Sequence, residues 1–156
     1  LSYNESSVFG YGRDKYISGN TGQWQGGEKY QLFAYDRDSG KQPSGKNLEY
    51  RWTKQVPLLV SAMVVAGDTI FIAGRPDIIM TQAEKGYGAL ILENPQQALD
   101  AWQGKKGALL WSVSAKDGKK LAEYKLKSLP VFDGMVAANA KLYISTQDGH
   151  LLCMGN

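Results

Sequence analysis

Val60-Ser61-Ala62-Met63-Val64-Val65-Ala66-Gly67-Asp68-Thr69-Ile70-Phe71-Ile72 and Phe132-Asp133-Gly134-Met135-Val136-Ala137-Ala138-Asn139-Ala140-Lys141-Leu142-Tyr143-Ile144 lie over one another at a constant offset of 72 residues. Each is an apolar run, a two-residue turn (Gly67-Asp68 or Asn139-Ala140) and a second run rich in β-forming residues. That order reads as a β-hairpin. Three weaker echoes follow in the same order. Ile70-Phe71-Ile72-Ala73-Gly74-Arg75 is echoed by Val8-Phe9-Gly10-Tyr11-Gly12-Arg13. Phe33-Ala34-Tyr35-Asp36-Arg37-Asp38-Ser39-Gly40-Lys41 parallels Trp111-Ser112-Val113-Ser114-Ala115-Lys116-Asp117-Gly118-Lys119, and Leu48-Glu49-Tyr50-Arg51-Trp52 parallels Ala122-Glu123-Tyr124-Lys125-Leu126.

Placed in order, the pieces define a four-strand unit, A to D. The complete copy has A near 60–66, B near 69–74, C near 108–114 and D near 120–126. A preceding copy supplies B (7–12), C (29–36) and D (48–53), and a following one supplies A (131–137), B (141–146) and C (150–154). Asp38-Ser39-Gly40, Lys116-Asp117-Gly118 and Gln147-Asp148-Gly149 each bring an Asx or Gly residue suited to a tight turn. Repeated four-stranded antiparallel units predict an all-β fold, a β-propeller of about two and a half blades. The partial first blade spans 1–54, the second 55–127 with an insertion at 75–107, and the partial third 128–156. A β-sandwich of similar hairpins is the alternative; a single A-to-D register kept across copies favours the propeller. So few blades leave edges and apolar faces open. The expected partners are therefore remaining blades, from the same precursor or a partner chain, with an A strand before Ser7 and a D strand after Met154.

Composition agrees with a packed β protein. Glycine makes up 18 of 156 residues, about 12% against an average near 7%. Aromatic residues are 11% and charged residues only 21%, which excludes a disordered chain. The longest apolar stretch, Val56 to Ala66, is about half of what a membrane-spanning helix needs. A net charge of +3 is too small to argue for nucleic acid, and a single Cys excludes an internal disulfide framework. No basic segment followed by an apolar one stands near Leu1, so no signal peptide is expected within the chain.

The repeat elements resemble the PQQ-like repeat β-propellers of bacteria. The family pattern A-x-D-x-x-[ST]-G-K at the end of strand C is matched by Ala34-Tyr35-Asp36-Arg37-Asp38-Ser39-Gly40-Lys41. The tryptophan that follows in the family has Ser44 in its place here, and Trp52 comes much later. The second copy keeps Asp117-Gly118-Lys119, and Thr146-Gln147-Asp148-Gly149 is similar to the family's strand-B-to-C turn. The resemblance covers nearly all of the chain outside its long loops and implies an exported protein, periplasmic or at the cell surface. It is informative about fold and weak about activity, because propellers host many functions.

Two B–C connections exceed what a blade needs, and long loops in compact domains are commonly functional. The first, Arg13 to Glu28, is glycine-rich and carries Trp24. The second, Arg75 to Gly107, contains Asn94-Pro95-Gln96-Gln97-Ala98-Leu99-Asp100-Ala101-Trp102-Gln103-Gly104, which reads as a short helix. Asn94 is its N-cap, Pro95 its first residue and Gly104 its stop. Leu99 and Trp102 are expected to pin one face onto the body. Arg13-Asp14 and Arg75-Pro76-Asp77 occupy matching places just after strand B. Either arginine could hold an anionic ligand or a partner's carboxylate through its planar fork, or pair with its aspartate to fasten the loop.

Other constellations are weaker. His150 is the only imidazole, so hydrolytic triads and zinc sites lack partners. Asp36-Arg37-Asp38-Ser39-Gly40 opens like a calcium loop, but Asn47 stands where the twelfth-position Glu belongs. In the dehydrogenase branch of the resembling family, pyrroloquinoline quinone sits beside a Glu, an Asn, an Asp and calcium, with a vicinal disulfide. This chain has neither Cys-Cys nor a recognisable catalytic Asp motif, so no cofactor is expected from its own residues; part of a pyrroloquinoline-quinone-dependent dehydrogenase, with the cofactor site on other blades, is the first alternative that the resemblance implies. Glycan or polymer binding through Trp24, Trp102 and Tyr87 is a further alternative. The reading is a non-catalytic binding or scaffolding segment. Its candidate contacts are Arg13, Trp24, Arg75, Asp77 and Trp102 on the loops, with Ser61 and Asp133 on the A strands lining a channel.

Overall fold

The computed structural model describes residues 1–13, 16–18, 24–26, 30–37, 49–78, 81–82, 90–91 and 94–155. In chain order these form β1 (Ser2–Tyr3), β2 (Ser7–Arg13), β3 (Tyr16–Ser18), β4 (Trp24–Gly26), β5 (Tyr30–Asp36), β6 (Trp52–Lys54), β7 (Leu58–Ala66), β8 (Thr69–Pro76), β9 (Thr81–Gln82), β10 (Leu90–Ile91), α1 (Pro95–Trp102), β11 (Ala108–Ser114), β12 (Lys120–Leu126), β13 (Pro130–Ala138), β14 (Lys141–Thr146) and β15 (Leu151–Met154). The fold is mostly β. Among the described residues no helix is long and apolar enough to cross a membrane.

Three antiparallel sheets carry the body, in the orders β1-β2-β5-β6, β7-β8-β11-β12 and β13-β14-β15. Each is a meander in which sequence neighbours pair, the A-to-D order read from the repeat. None closes on itself. Two small hairpins, β3-β4 and β9-β10, lie in the long B–C connections.

Strand alternation explains why the sheets stack. In β8, Ile70 and Ile72 point one way and Phe71 and Ala73 the other. Ile70 and Ile72 join Phe9, Leu32, Ala34, Leu58 and Val113 in a core between the first two sheets. Ala73 joins Leu110, Leu126, Met135, Leu142 and Ile144 in a second core, against which Phe71 packs. A strand buried on both faces has no reason to alternate with polar residues, hence the unbroken Ile-Phe-Ile-Ala run. Each fully buried Leu, Ile or Phe contributes about 2 kcal/mol, so the middle sheet draws stability from both sides.

The hairpins turn as their sequences require. Ala66 pairs with Thr69 across Gly67-Asp68, and Ala138 with Lys141 across Asn139-Ala140. Gly67 has φ 58°, and Asn139 and Ala140 have φ 51° and 57°, the left-handed pair of a type I′ turn. Ser61 and Asp133, 72 residues apart, both sit in register breaks of their A strands. Strands β7 and β13 pack together, and β1 packs on β7.

The first sheet departs from expectation at its edge. The A position beside Ser7 is filled from within the chain by β1, with Ser2 opposite Phe9 and Tyr3 opposite Val8. The Asn4 side-chain oxygen makes this possible, accepting from the Ser6 and Ser7 amides and folding the chain back.

The sheets are also clasped by polar contacts. Arg51 donates through Nη1 to Ser7 Oγ at 2.8 Å and to Asp36 at 3.0 Å, and through Nη2 to the Ala115 carbonyl at 2.8 Å. The Trp52 indole donates to the same carbonyl at 3.1 Å. Asp36, which opens the calcium-like motif, is thus engaged by an arginine; Asp38 and Asn47 of that motif lie outside the described residues.

Two substitutions test this packing by chemical denaturation. A Cβ at Gly74 would run into the Leu59 backbone of the paired strand, so Gly74→Ala destabilises by about 2 kcal/mol. Ala140→Gly relieves a left-handed alanine and stabilises by about 0.5–1 kcal/mol.

Candidate functional site

Both long connections leave the sheets after a B strand, at the same end of the A-to-D meander. At the second one, α1 starts as its sequence dictates. The Asn94 side chain accepts from the Gln97 amide at 3.0 Å, Pro95 opens the first turn, and Gly104 follows the Gln103 cap with φ 79°.

The helix face differs from expectation. Ala101 is the residue turned into the body, at 2% exposure, whereas Leu99 stays 46% and Trp102 63% exposed. The small alanine lets the helix lie close, and the larger pair is left standing at the rim. There Trp102 meets Arg75, whose guanidinium carbon lies 3.7 Å from the indole centroid. This stack is a cation–π contact of the kind worth about 0.5–2 kcal/mol, depending on solvent access. Both residues help to line a cavity of about 340 Å³, together with Leu59, Ile78, Pro95, Ala98 and Leu99. Its walls are mostly apolar, and among the described residues that line it Arg75 is the charged one.

On the side facing the first sheet, Tyr11 donates its hydroxyl hydrogen to the Leu58 carbonyl at 3.1 Å and stacks on Tyr30 with centroids 5.4 Å apart. Burial, reinforced by the nearby Asp77 charge, pushes the Tyr11 phenol above its ordinary value. The Asp77 amide donates to the Pro57 carbonyl at 3.0 Å, which holds the start of the connection against strand β7.

Of the residues singled out from the sequence, Arg75, Asp77 and Trp102 are therefore brought to one region. Arg13 closes β2 opposite Tyr30. Its side chain, that of Trp24 in β4, and residues Asp14 and Tyr87 lie outside the described residues. Ser61 and Asp133 belong to the A strands; the Ser61 hydroxyl donates to the Ala73 carbonyl at 3.5 Å, and Asp133 is exposed with φ 51°. Sequence reasoning missed Tyr11, Tyr30 and Leu59. Tyr11 carried a usable signal, since it stands where the second copy has the small Ala73.

Elsewhere, His150 Nδ1 lies 3.3 Å from the Asp148 carboxylate beside the Thr146–Gly149 turn. The Thr146 hydroxyl donates to that carboxylate at 2.6 Å and, with His150, holds Asp148 below the usual carboxylate range. This is turn chemistry. Among the described residues no three His, Cys, Asp or Glu side chains gather as metal ligands would. Comparison with protein-family models, with curated proteins and with solved structures finds no match.

The Tyr11 environment gives a pH prediction. Its folded pKa is raised, so its contribution is full below the unfolded value of about 10 and is lost as pH rises beyond it. Denaturant midpoints between pH 9 and 11 are expected to fall for the native chain and to fall less for Tyr11→Phe.

Proposed function

We propose that this chain is a non-catalytic binding or scaffolding segment of a β-propeller, with its contact surface on the B–C connections. Three supports favour the propeller: the A-to-D order repeats in successive sheets, each sheet packs on the next, and the A strands β1, β7 and β13 adjoin one another. Propeller blades stack in this way around a central axis, whereas the two sheets of a sandwich share one core. An exported location is part of the proposal and rests on the family resemblance.

The observation that carries the binding reading is the Arg75–Trp102 stack in the lining of a largely apolar cavity. An arginine held over an aromatic ring has its planar fork still available at the edge. Trp and Arg also recur among residues that dominate protein interfaces. The matching occupant is an apolar side chain that enters the cavity, with a carboxylate beside it for Arg75. Such a surface suits a segment of a partner protein.

Selection of a displayed random peptide library on the chain tests this. Enriched peptides are expected to combine an acidic residue with apolar neighbours. Their affinity should fall about tenfold or more for Arg75→Gln and for Trp102→Ala, a loss of about 1.4 kcal/mol or more. Selected peptides that bind both variants as well as the native chain would refute the assignment of the surface.

A further inference from the structure

The dipeptide Asp-Gly stands at Asp117-Gly118, Asp133-Gly134 and Asp148-Gly149. Such a linkage is open to internal attack, because no glycine side chain obstructs the approach of its amide nitrogen to the aspartyl carboxyl carbon. Folding decides whether the attack occurs. It is suppressed where the amide is tied to an acceptor and the carboxyl is held as a hydrogen-bonded carboxylate, since the ionised form is a poor electrophile.

Two of the pairs are tied down in both respects. The Gly118 amide donates to the Ser114 carbonyl at 2.9 Å, while Asp117 accepts from the Lys119 amide at 3.2 Å and pairs with the Lys119 ammonium at 3.1 Å. The Gly149 amide donates to the Thr146 carbonyl at 3.0 Å. Asp148 accepts from the Thr146 hydroxyl at 2.6 Å and lies 3.3 Å from His150 Nδ1. These bonds hold both carboxyls below the usual carboxylate range.

Asp133-Gly134 is placed differently. Pro130 lies opposite Thr146 and Met135 opposite Ile144, so Val131 to Gly134 form a bulge with no partner residue in the β14 ladder. Among the described residues no hydrogen bond or ion pair engages the Asp133 carboxylate, which is exposed. Its φ of 51° is a left-handed conformation that strains a residue bearing a Cβ. Gly134 is fixed by crowding: an added Cβ would lie 3.0 Å from the Val131 carbonyl oxygen and 3.3 Å from Ser145 Cβ. The bulge thus demands glycine where glycine least hinders attack.

We infer that Asp133-Gly134 is a site of covalent modification, at which the aspartate isomerises to isoaspartate through a cyclic imide. The Gly134 nitrogen bonds to Asp133 Cγ, its proton and the carboxyl hydroxyl leave as water, and a five-membered ring closes. Water then opens the ring. Breaking the bond from nitrogen to Cγ restores aspartate; breaking the bond from nitrogen to the Asp133 main-chain carbonyl leaves the chain running through Cβ and Cγ, with the α-carboxylate free. The water taken up equals the water lost. The bulge accommodates the longer main chain, because Pro130 and Met135 on either side of it are buried. The freed α-carboxylate is the group to which an isoaspartyl methyltransferase passes the sulfonium methyl of S-adenosylmethionine. This inference does not rest on the Arg75–Trp102 surface.

The intact protein is stored at neutral pH in buffer and, in parallel, in denaturing urea. Isoaspartate is quantified at each pair by peptide mapping with electron-transfer fragmentation, and in total by methyltransferase labelling. In buffer, isoaspartate is expected to form at position 133 about tenfold or more faster than at 117 or 148, the rate effect of about one hydrogen bond. In urea the three rates are expected to converge. Asp133→Glu, whose longer side chain would have to close a six-membered ring, is expected to remove most of the labelled product in buffer. Formation at 117 or 148 as fast as at 133 in the folded chain would overturn the inference. So would an unmodified position 133 in buffer while it reacts in urea, an undiminished preference for 133 in urea, or labelling unchanged by Asp133→Glu.

Discussion

Burial of strand β8 on both faces is the constraint on which the remaining architecture depends. A single short run, Ile70-Phe71-Ile72-Ala73, alternates its side chains between two separate cores. Once both faces are covered, the first and third sheets are fixed in position by the same strand. The hydrophobic driving force is non-directional, and direction comes from the two-residue period of the strand. The clasp from Arg51 to Ser7 and the Ala115 carbonyl then sets one sheet against its neighbour with polar contacts that apolar packing cannot supply.

The site follows from this frame. Because the sheets keep one A-to-D sense, their long connections leave after corresponding strands. The connection after β8 folds back through α1, and its small Ala101 brings the helix close enough for Trp102 to reach Arg75. At the sheet end Tyr11 is tied to the Leu58 carbonyl and the Asp77 amide to the Pro57 carbonyl. A charged fork held over an indole beside an apolar cavity is suited to recognition.

Much of the fold was legible because burial on two faces writes an unbroken apolar run and a two-residue turn writes itself in Gly, Asn and Asp. That is why the hairpins at Gly67-Asp68 and Asn139-Ala140 and the helix from Pro95 agree with their sequence signals. Strand β1 was not legible: two residues carry no periodicity, and its place is decided by Asn4 accepting local amides. Nor was the orientation of α1. A Leu99–Trp102 spacing looks like a buried face, but the closer approach offered by Ala101 prevailed. The pairing of Arg75 with Trp102 joins residues 27 positions apart through a helix, and no local pattern announces it. The register breaks at Ser61 and Asp133 were likewise invisible, although the repeat placed both residues at equivalent positions.

Native-state hydrogen exchange resolved by residue tests the central role of the doubly buried strand most directly. The account predicts that amides of Ile70–Ala73 and of their partners in β11 exchange only through global unfolding and are the slowest in the chain. Protection of β8 equal to or below that of β2 and β14 would contradict it, because the outer sheets would then be stable without the strand said to organise them.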